Sequence, residues 1–264
     1  MPDRRLHRGP HPEDARLFGD EALPRLRGAA ADFCWLLDRG YAHDSALKLV
    51  GDRHQLMARQ RTAVSRCCCS AEDAVRRRSR EATVEQLADT PLWIDGYNVL
   101  TTVEAALAGG VVLVGRDGAW RDMASMHGSY RRVAETGPAL ELLGQTLAAA
   151  PALPCRWLLD RPVSNSGRLK AIIEQVAAAH DWPWQVELTA DPDALLIDQP
   201  GVIVASADSA ILDRVSAWFN LAGETVRRHA PTARVVDLTL SVGLPCDEPS
   251  QRYGRWVVGF DREG

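Results

Sequence analysis

Pro91-Leu92-Trp93-Ile94-Asp95-Gly96-Tyr97-Asn98-Val99-Leu100 is the stretch on which the fold turns. Leu92 to Ile94 form a short apolar run, and Asp95 closes it. Val99, Leu100, Val103 and Leu107 then recur at helical spacing, so the stretch predicts a strand that hands over to a helix through an acid. The same pattern recurs downstream. Cys155-Arg156-Trp157-Leu158-Leu159-Asp160 is a second apolar run ending in an acid. A helix over 166–180 follows it, with Leu169, Ile172, Ile173, Val176 and Ala177 on one face. Val202-Ile203-Val204-Ala205-Ser206-Ala207-Asp208 is the third such run.

Trp184 to Leu188, Val111 to Val114 and Arg234 to Leu238 read as further strands, the last of them closing the series. Residues 137–149 and 209–219 read as helices. Short apolar runs alternating with helices predict an α/β fold with a doubly wound, mostly parallel sheet.

The grammar before Pro91 is different. Residues 1–12 read as an irregular arm. Leu26, Ala30, Phe33 and Leu37 recur at helical spacing, with Pro24 suited to a first turn and Gly40 to a stop. Further helices are predicted over 44–50, 52–66 and 71–88. Residues 1–88 therefore form a small all-helical domain, and residues 89–264 an α/β domain. The second carries an arginine-rich insert at about 109–136 and an irregular C-terminal arm over 242–264.

The 264 residues carry 31 Lys and Arg against 35 Asp and Glu, and 46% are apolar. That composition excludes a disordered, collagenous or coiled-coil chain. No stretch approaches the roughly 20 apolar residues of a membrane span. The six cysteines, three of them consecutive at 67–69, fit neither a disulfide framework nor metal-ligand spacing. These features predict a reduced, cytoplasmic chain with no membrane partner. Charge is divided unevenly: residues 45–80 hold nine basic residues against three acidic ones. That excess is either a solvated face or a footprint for a polyanion, with Arg53, Arg59, Arg61 and Arg66 outward on a predicted helix.

In an open parallel sheet the carboxyl ends of the strands share one edge, and ligands bind there. Asp95, Asp160 and Asp208 would converge on it. Clustered carboxylates repel, so they either hold their protons or recruit a divalent cation. Oxygen ligands select Mg²⁺ or Mn²⁺, which can activate a water and stabilise a phosphodiester transition state. The plain alternative is that each Asp caps the helix behind it.

These segments resemble a known family. Asp95-Gly96-Tyr97-Asn98 is similar to the opening motif of the NYN branch of PIN-like nucleases, and Val204-Ala205-Ser206-Ala207-Asp208 to a later strand motif. Thr189-Ala190-Asp191-Pro192-Asp193 is similar to the segment that supplies another acid there. The resemblance covers roughly residues 91–240 and implies a PIN-like fold and metal-dependent RNA cleavage. It implies that Asp95 and Asp208 bind metal, that Asn98 orients Asp95 or a phosphate, and that Ser206 hydrogen-bonds nearby. Asp160 would be a metal ligand or would position the attacking water. The fourth acid is one of Asp191, Asp193 and Asp198, with Asp193 favoured because Asp191 precedes a proline and suits a turn or cap. The whole chain also resembles a pair of families, domains of unknown function 434 and 5616, through Ala46 to Arg61, Ile94 to Leu100 and Val163 to Leu169.

The insert holds Arg116, Arg121, Arg131 and His127. It reads either as a β-hairpin with a salt-bridged turn at Asp117-Gly118, or as an arginine clamp on phosphate with His127 as an acid or base. Ser164, Asn165 and Ser166 open the helix after Asp160, where hydroxyls and free N–H groups either cap the helix or seat an anion. Asp213, five residues past Asp208, should face away into solvent. Glu104 is either a surface residue or a support for the acids. No dinucleotide fingerprint, P-loop, nucleophile elbow or zinc motif is present.

The sequence therefore predicts a metal-dependent phosphodiesterase acting on RNA, including structured or ribosomal RNA. The alternatives are a non-catalytic RNA- or ribosome-binding protein, and a phosphatase or nucleotide hydrolase using the same acids.

Overall fold

The structure is a computed structural model that describes residues 7–88, 90–124, 130–148 and 154–239. The C-terminal arm over 242–264 and His127 lie outside the described residues.

Five helices come first: α1 (Asp14–Leu17), α2 (Leu23–Leu37), α3 (His43–Arg53), α4 (Ala58–Cys67) and α5 (Ala71–Ser79). In α2 the apolar positions Leu26, Ala30 and Phe33 are buried on one face, as their spacing requires. The helix expected over 52–66 is instead divided between α3 and α4. The chain turns at Gln55, whose φ is +50°, and the Leu56 N–H returns to the Gly51 carbonyl at 2.9 Å. Gln60 fixes the restart. Its Oε1 accepts from the Met57 N–H at 3.1 Å, and its amide donates to the Leu17 carbonyl at 2.9 Å. The helix expected over 71–88 ends at Ser79, because the backbone beyond it pairs with a distant segment: the Ala82 N–H meets the Trp218 carbonyl at 2.7 Å.

A short 3-10 turn (Glu85–Leu87) leads into β1 (Leu92–Asp95) and α6 (Gly96–Leu107). Then come β2 (Val111–Val114), β3 (Trp120–Asp122), α7 (Thr136–Leu147), β4 (Cys155–Asp160) and α8 (Ser166–Ala179). The series ends with β5 (Trp184–Thr189), α9 (Pro192–Ile197), β6 (Ile203–Ala205), α10 (Ser209–Leu212), α11 (Leu221–His229) and β7 (Arg234–Asp237). The fold is α/β, with the helical region at its N-terminal end.

The main sheet has the order β5-β4-β1-β6, and its three pairings are all parallel. The chain moves outward from β1 to β4 and β5, then returns to lay β6 on the other side of β1. A strand order that reverses beside one strand opens a crevice at the carboxyl ends. Leu92, Ile94, Leu100, Trp157, Leu159 and Ile173 belong to one buried cluster that holds this sheet to α6 and α8.

Two strands expected in this sheet are elsewhere. β2 pairs antiparallel with β3 and parallel with β7, forming a separate three-stranded sheet. Val111, Leu113 and Val236 on that sheet share a core with Phe33, Val50 and Val64 of the helical region. The helix expected over 209–219 is only the short α10. Trp218 beyond it is fully buried, its indole N–H donating to the Arg77 carbonyl at 2.7 Å. Among the described residues no helix is long and apolar enough to cross a membrane.

Candidate functional site

Asp95, Asp160, Asp193 and Asp208 line one cavity of about 1420 Å³, with Asn98 and Asp191 beside them. The strand register explains the first of these. Asp95 pairs with Leu158 on β4, two residues short of Asp160, and β6 ends at Ala205 opposite Ile94. Asp208 follows three residues later, at the same edge. Asp193 comes from the first turn of α9, behind β5.

The loop after β6 is tied to β1 by polar contacts. Asp95 stands at the N-terminus of α6 yet makes no cap hydrogen bond. Its Oδ2 accepts from the Ser206 hydroxyl at 2.8 Å, and the same Oγ accepts from the Asp208 N–H at 3.1 Å. Asn98 Oδ1 accepts from the Ala207 N–H at 2.9 Å, and Arg121 Nε donates to the Ala207 carbonyl at 2.8 Å. Both backbone polar groups of Ala207 are thereby held, which fixes Asp208 next to it. The capping alternative applies to some acids and not others. Asp208 caps α10 through the Ala210 N–H at 2.7 Å, and Asp191 caps α9 through the Ala194 N–H at 3.0 Å. Asp160 Oδ1 is buried without a hydrogen-bond partner. Asp198 closes α9 and does not line the cavity.

Burial pushes the half-buried Asp95 carboxyl up to about 7. The Ser206 hydroxyl opposes the rise, and the charges of Asp193 and Asp208 add to it. Asp193 is raised as well, by burial and then by Asp208, Asp191 and Asp160. The arginines of the cavity wall do not relieve this repulsion, because other carboxylates hold them. Arg76 and Arg77 bind Asp213 at 2.8 and 2.7 Å, and Arg77 and Arg121 bind buried Asp117 at 2.8 and 2.6 Å. Burial would raise Asp117, but Arg121 and Arg77 outweigh it and hold that carboxyl at about 2.

No three His, Cys, Asp or Glu groups among the described residues close on a point as a finished metal cage. The donor set nevertheless fits a hard divalent ion. Its four members are carboxylates, one has an oxygen with no partner, and no ion pair joins any of the four to Lys or Arg among the described residues. Mg²⁺ characteristically keeps several waters and takes one or two protein carboxylates, rather than a complete protein cage.

The arginines expected to hold nucleic acid each have a partner within the chain, some of them at the surface. Arg59 pairs with the buried Asp14 at 2.6 Å, Arg61 with Asp52 at 2.7 Å and Arg53 with Asp32 at 3.3 Å, while Arg66 donates to the Asp122 and Ala124 carbonyls. In the insert, the β2–β3 hairpin with a salt-bridged turn is what forms. Arg116 is 3% exposed and bound to Asp38, and it does not line the acid cavity. Arg121 does line it, but its guanidinium is engaged with Asp117 and Ala207. Neither is placed as a phosphate clamp. Arg131 and Asn165 line a second, smaller cavity. The Asn165 amide donates to the Tyr130 carbonyl rather than capping α8, and the Ser164 carbonyl accepts from the Tyr130 N–H.

Asp213 is ion-paired, not solvated as expected. Glu104 is fully buried, bound by Arg8 and by the hydroxyls of Tyr130 and Thr136. The Arg77–Asp117–Arg121 network is not legible in the sequence as a unit, because its members lie on α5 and the hairpin, far apart along the chain. The paired Arg-Asp steps at 116–117 and 121–122 were the signal for it.

Residues 84–224 match the model of a family described as a domain of unknown function (DUF5616). Residues 25–80 match a family described as a protein of unknown function (DUF434). The uncharacterized protein MJ0935 of Methanocaldococcus jannaschii is 27% identical over 187 residues, which is 71% of this chain and 88% of that protein. No solved structure matches the chain.

Proposed function

The chain belongs to the DUF5616 family, and we propose that it is a metal-dependent phosphodiesterase whose substrate is RNA. One observation carries the reading. Four carboxylates from separate elements face a single cavity, and no basic side chain pairs with any of them among the described residues. A protein keeps such repulsion at a strand-end crevice when something positive is to occupy it. The PIN-like reading of the fold has two supports. They are the order β5-β4-β1-β6 with acids at its carboxyl ends, and the Asp95-Gly96-Tyr97-Asn98 and Val204-to-Asp208 segments, which lie at the carboxyl ends of the neighbouring strands β1 and β6.

Asp95, Asp160 and Asp208 would hold the Mg²⁺ or Mn²⁺, with Asp193 nearby. When bound, the ion would supply a Lewis acid for the phosphoryl oxygens and would lower the pKa of a water. The protein's own groups do the remaining work. Ser206 and Asn98 fix Asp95 and the Ala207-Asp208 backbone, so the acids are positioned before substrate arrives. Asp160, one of whose oxygens has no protein donor, would serve as a ligand or would position the attacking water.

The test is cleavage of an end-labelled RNA pool by wild type, Asp160→Asn and Asp208→Asn, in Mg²⁺, Mn²⁺ and EDTA. The expected result is cleavage that needs metal and falls by about 10²–10⁴-fold in each variant, with melting temperatures unchanged. Undiminished cleavage in both variants would overturn the assignment.

A further inference from the structure

We propose that Arg131, Arg132 and Arg168 form an anion-binding subsite that takes a phosphate group of the substrate, beside the acid cavity and separate from it. The three line a cavity of about 250 Å³ with Tyr130, Asn165, Leu169 and Ile172, and no carboxylate takes part in its lining. All three are exposed, and none has a hydrogen-bond or ion-pair partner among the described residues. Three arginines unpaired among the described residues thus share one cavity. The nine basic residues of 45–80 are largely paired within the chain, whereas these three line one cavity without a carboxylate.

The local structure converges on that arrangement. The Tyr130 N–H donates to the Ser164 carbonyl at 3.2 Å, and the Asn165 amide donates to the Tyr130 carbonyl at 3.1 Å. This reciprocal pair locks the segment carrying Arg131 and Arg132 against the start of α8, which carries Arg168. Asn165 adopts a φ of +69° to make the turn. The subsite also adjoins the acids. Tyr130 lines it, Tyr97 lines the acid cavity, and the two rings pack at 5.4 Å. A negative pole and a positive pole thus lie on either side of one tyrosine pair. A phosphorylated chain whose scissile bond sits at the acids would place a neighbouring phosphate at the arginines. Guanidinium groups suit that ligand because they donate in a planar fork that matches phosphate oxygens.

The identity of the ligand as substrate rests on the phosphodiesterase reading, and the test separates the two. A fluorescein-labelled oligouridylate of about 12 nucleotides, long enough to span a typical single-strand site, is bound in EDTA at several salt concentrations. The proteins are wild type, the Arg131→Ala/Arg132→Ala/Arg168→Ala variant and the corresponding triple lysine variant. The alanine variant should bind at least about tenfold more weakly at low salt, with a log K against log salt slope shallower by about 0.7 per lost phosphate contact. The lysine variant should recover most of the slope. Competition with uridine monophosphate and inorganic phosphate then distinguishes sources. Displacement at the wild-type protein only would assign a free phosphate, and its absence a backbone phosphate. Equal affinity and slope in wild type and alanine variant would overturn the subsite, whatever the cleavage assay gives. An arginine-dependent slope in a protein that never cleaves RNA would keep the subsite and remove the nuclease reading.

Discussion

Replacing Asp95 with asparagine should stabilise the metal-free protein at alkaline pH. The carboxyl is moved from an ordinary 3.8 to about 7. Between those values the folded chain holds a proton that the unfolded chain gives up. Stability therefore falls as pH rises through this window, and the loss is complete above about 7. At 1.36 kcal/mol per tenfold change in acidity, the ionised wild type carries a cost of about 4 kcal/mol that the Asp95→Asn variant does not. The amide keeps an oxygen to accept from Ser206, so the local contact survives. Urea unfolding followed by tryptophan fluorescence at pH 5, 6, 7 and 8 in EDTA measures the effect. The variant should exceed wild type by up to about 4 kcal/mol at pH 8, and roughly 8–16 °C in Tm for a domain this size. The difference should narrow steadily toward pH 4. Saturating Mn²⁺ should raise wild type and leave the variant nearly unchanged. A variant equal to or weaker than wild type at pH 8, or a difference indifferent to pH, would refute the account of Asp95 as a carboxylate ionised against its surroundings.

Three further outcomes follow from the same geometry. Arg121→Met leaves the buried Asp117 with Arg77 alone and releases the Ala207 carbonyl, so it should cost about 3–5 kcal/mol in urea unfolding; a loss below about 1 kcal/mol would contradict the network. Gly96→Ala places a Cβ 2.6 Å from the Leu159 side chain and 3.0 Å from the Leu158 carbonyl, an overpacking expected to cost about 1–3 kcal/mol in the same assay; a neutral result would mean β1 and β4 are less tightly joined than described. Asn98→Ala orphans the Ala207 N–H and should lower stability by about 1–3 kcal/mol while reducing kcat more than it changes KM; a change confined to KM would assign Asn98 to substrate contact instead.

What the sequence could convey differs between the two halves of the fold. The strands that end in Asp95 and Asp160, and the one just before Asp208, are legible because an apolar run followed by an acid is a local pattern. Their convergence then follows from the parallel sheet. The partners of β2 and β7 were not legible, since Val111 to Val114 and Arg234 to Asp237 carry the same apolar signal whichever sheet they join. Helix α11 is hard to read from sequence because Leu221 to His229 is mostly polar and its buried residues lie within Leu221 to Val226. The basic residues of 45–80 show a physical limit of reading charge from sequence. Charge is visible in sequence, but its neutralisation is not: Arg59 meets Asp14 across 45 residues and Arg77 meets Asp213 across 136. Arg131 stands out in the sequence as part of the insert, but its grouping with Arg132 and Arg168 does not, because the three come together only through the Tyr130–Asn165 contact.

The most direct test of the central claim is a calorimetric titration of Mn²⁺ into wild type and the Asp95→Asn/Asp208→Asn double variant, with RNA cleavage followed in the same samples. The account predicts binding heat and metal-dependent cleavage in wild type, both lost in a double variant that still folds. Wild-type protein that takes up no Mn²⁺, with or without RNA present, would contradict it.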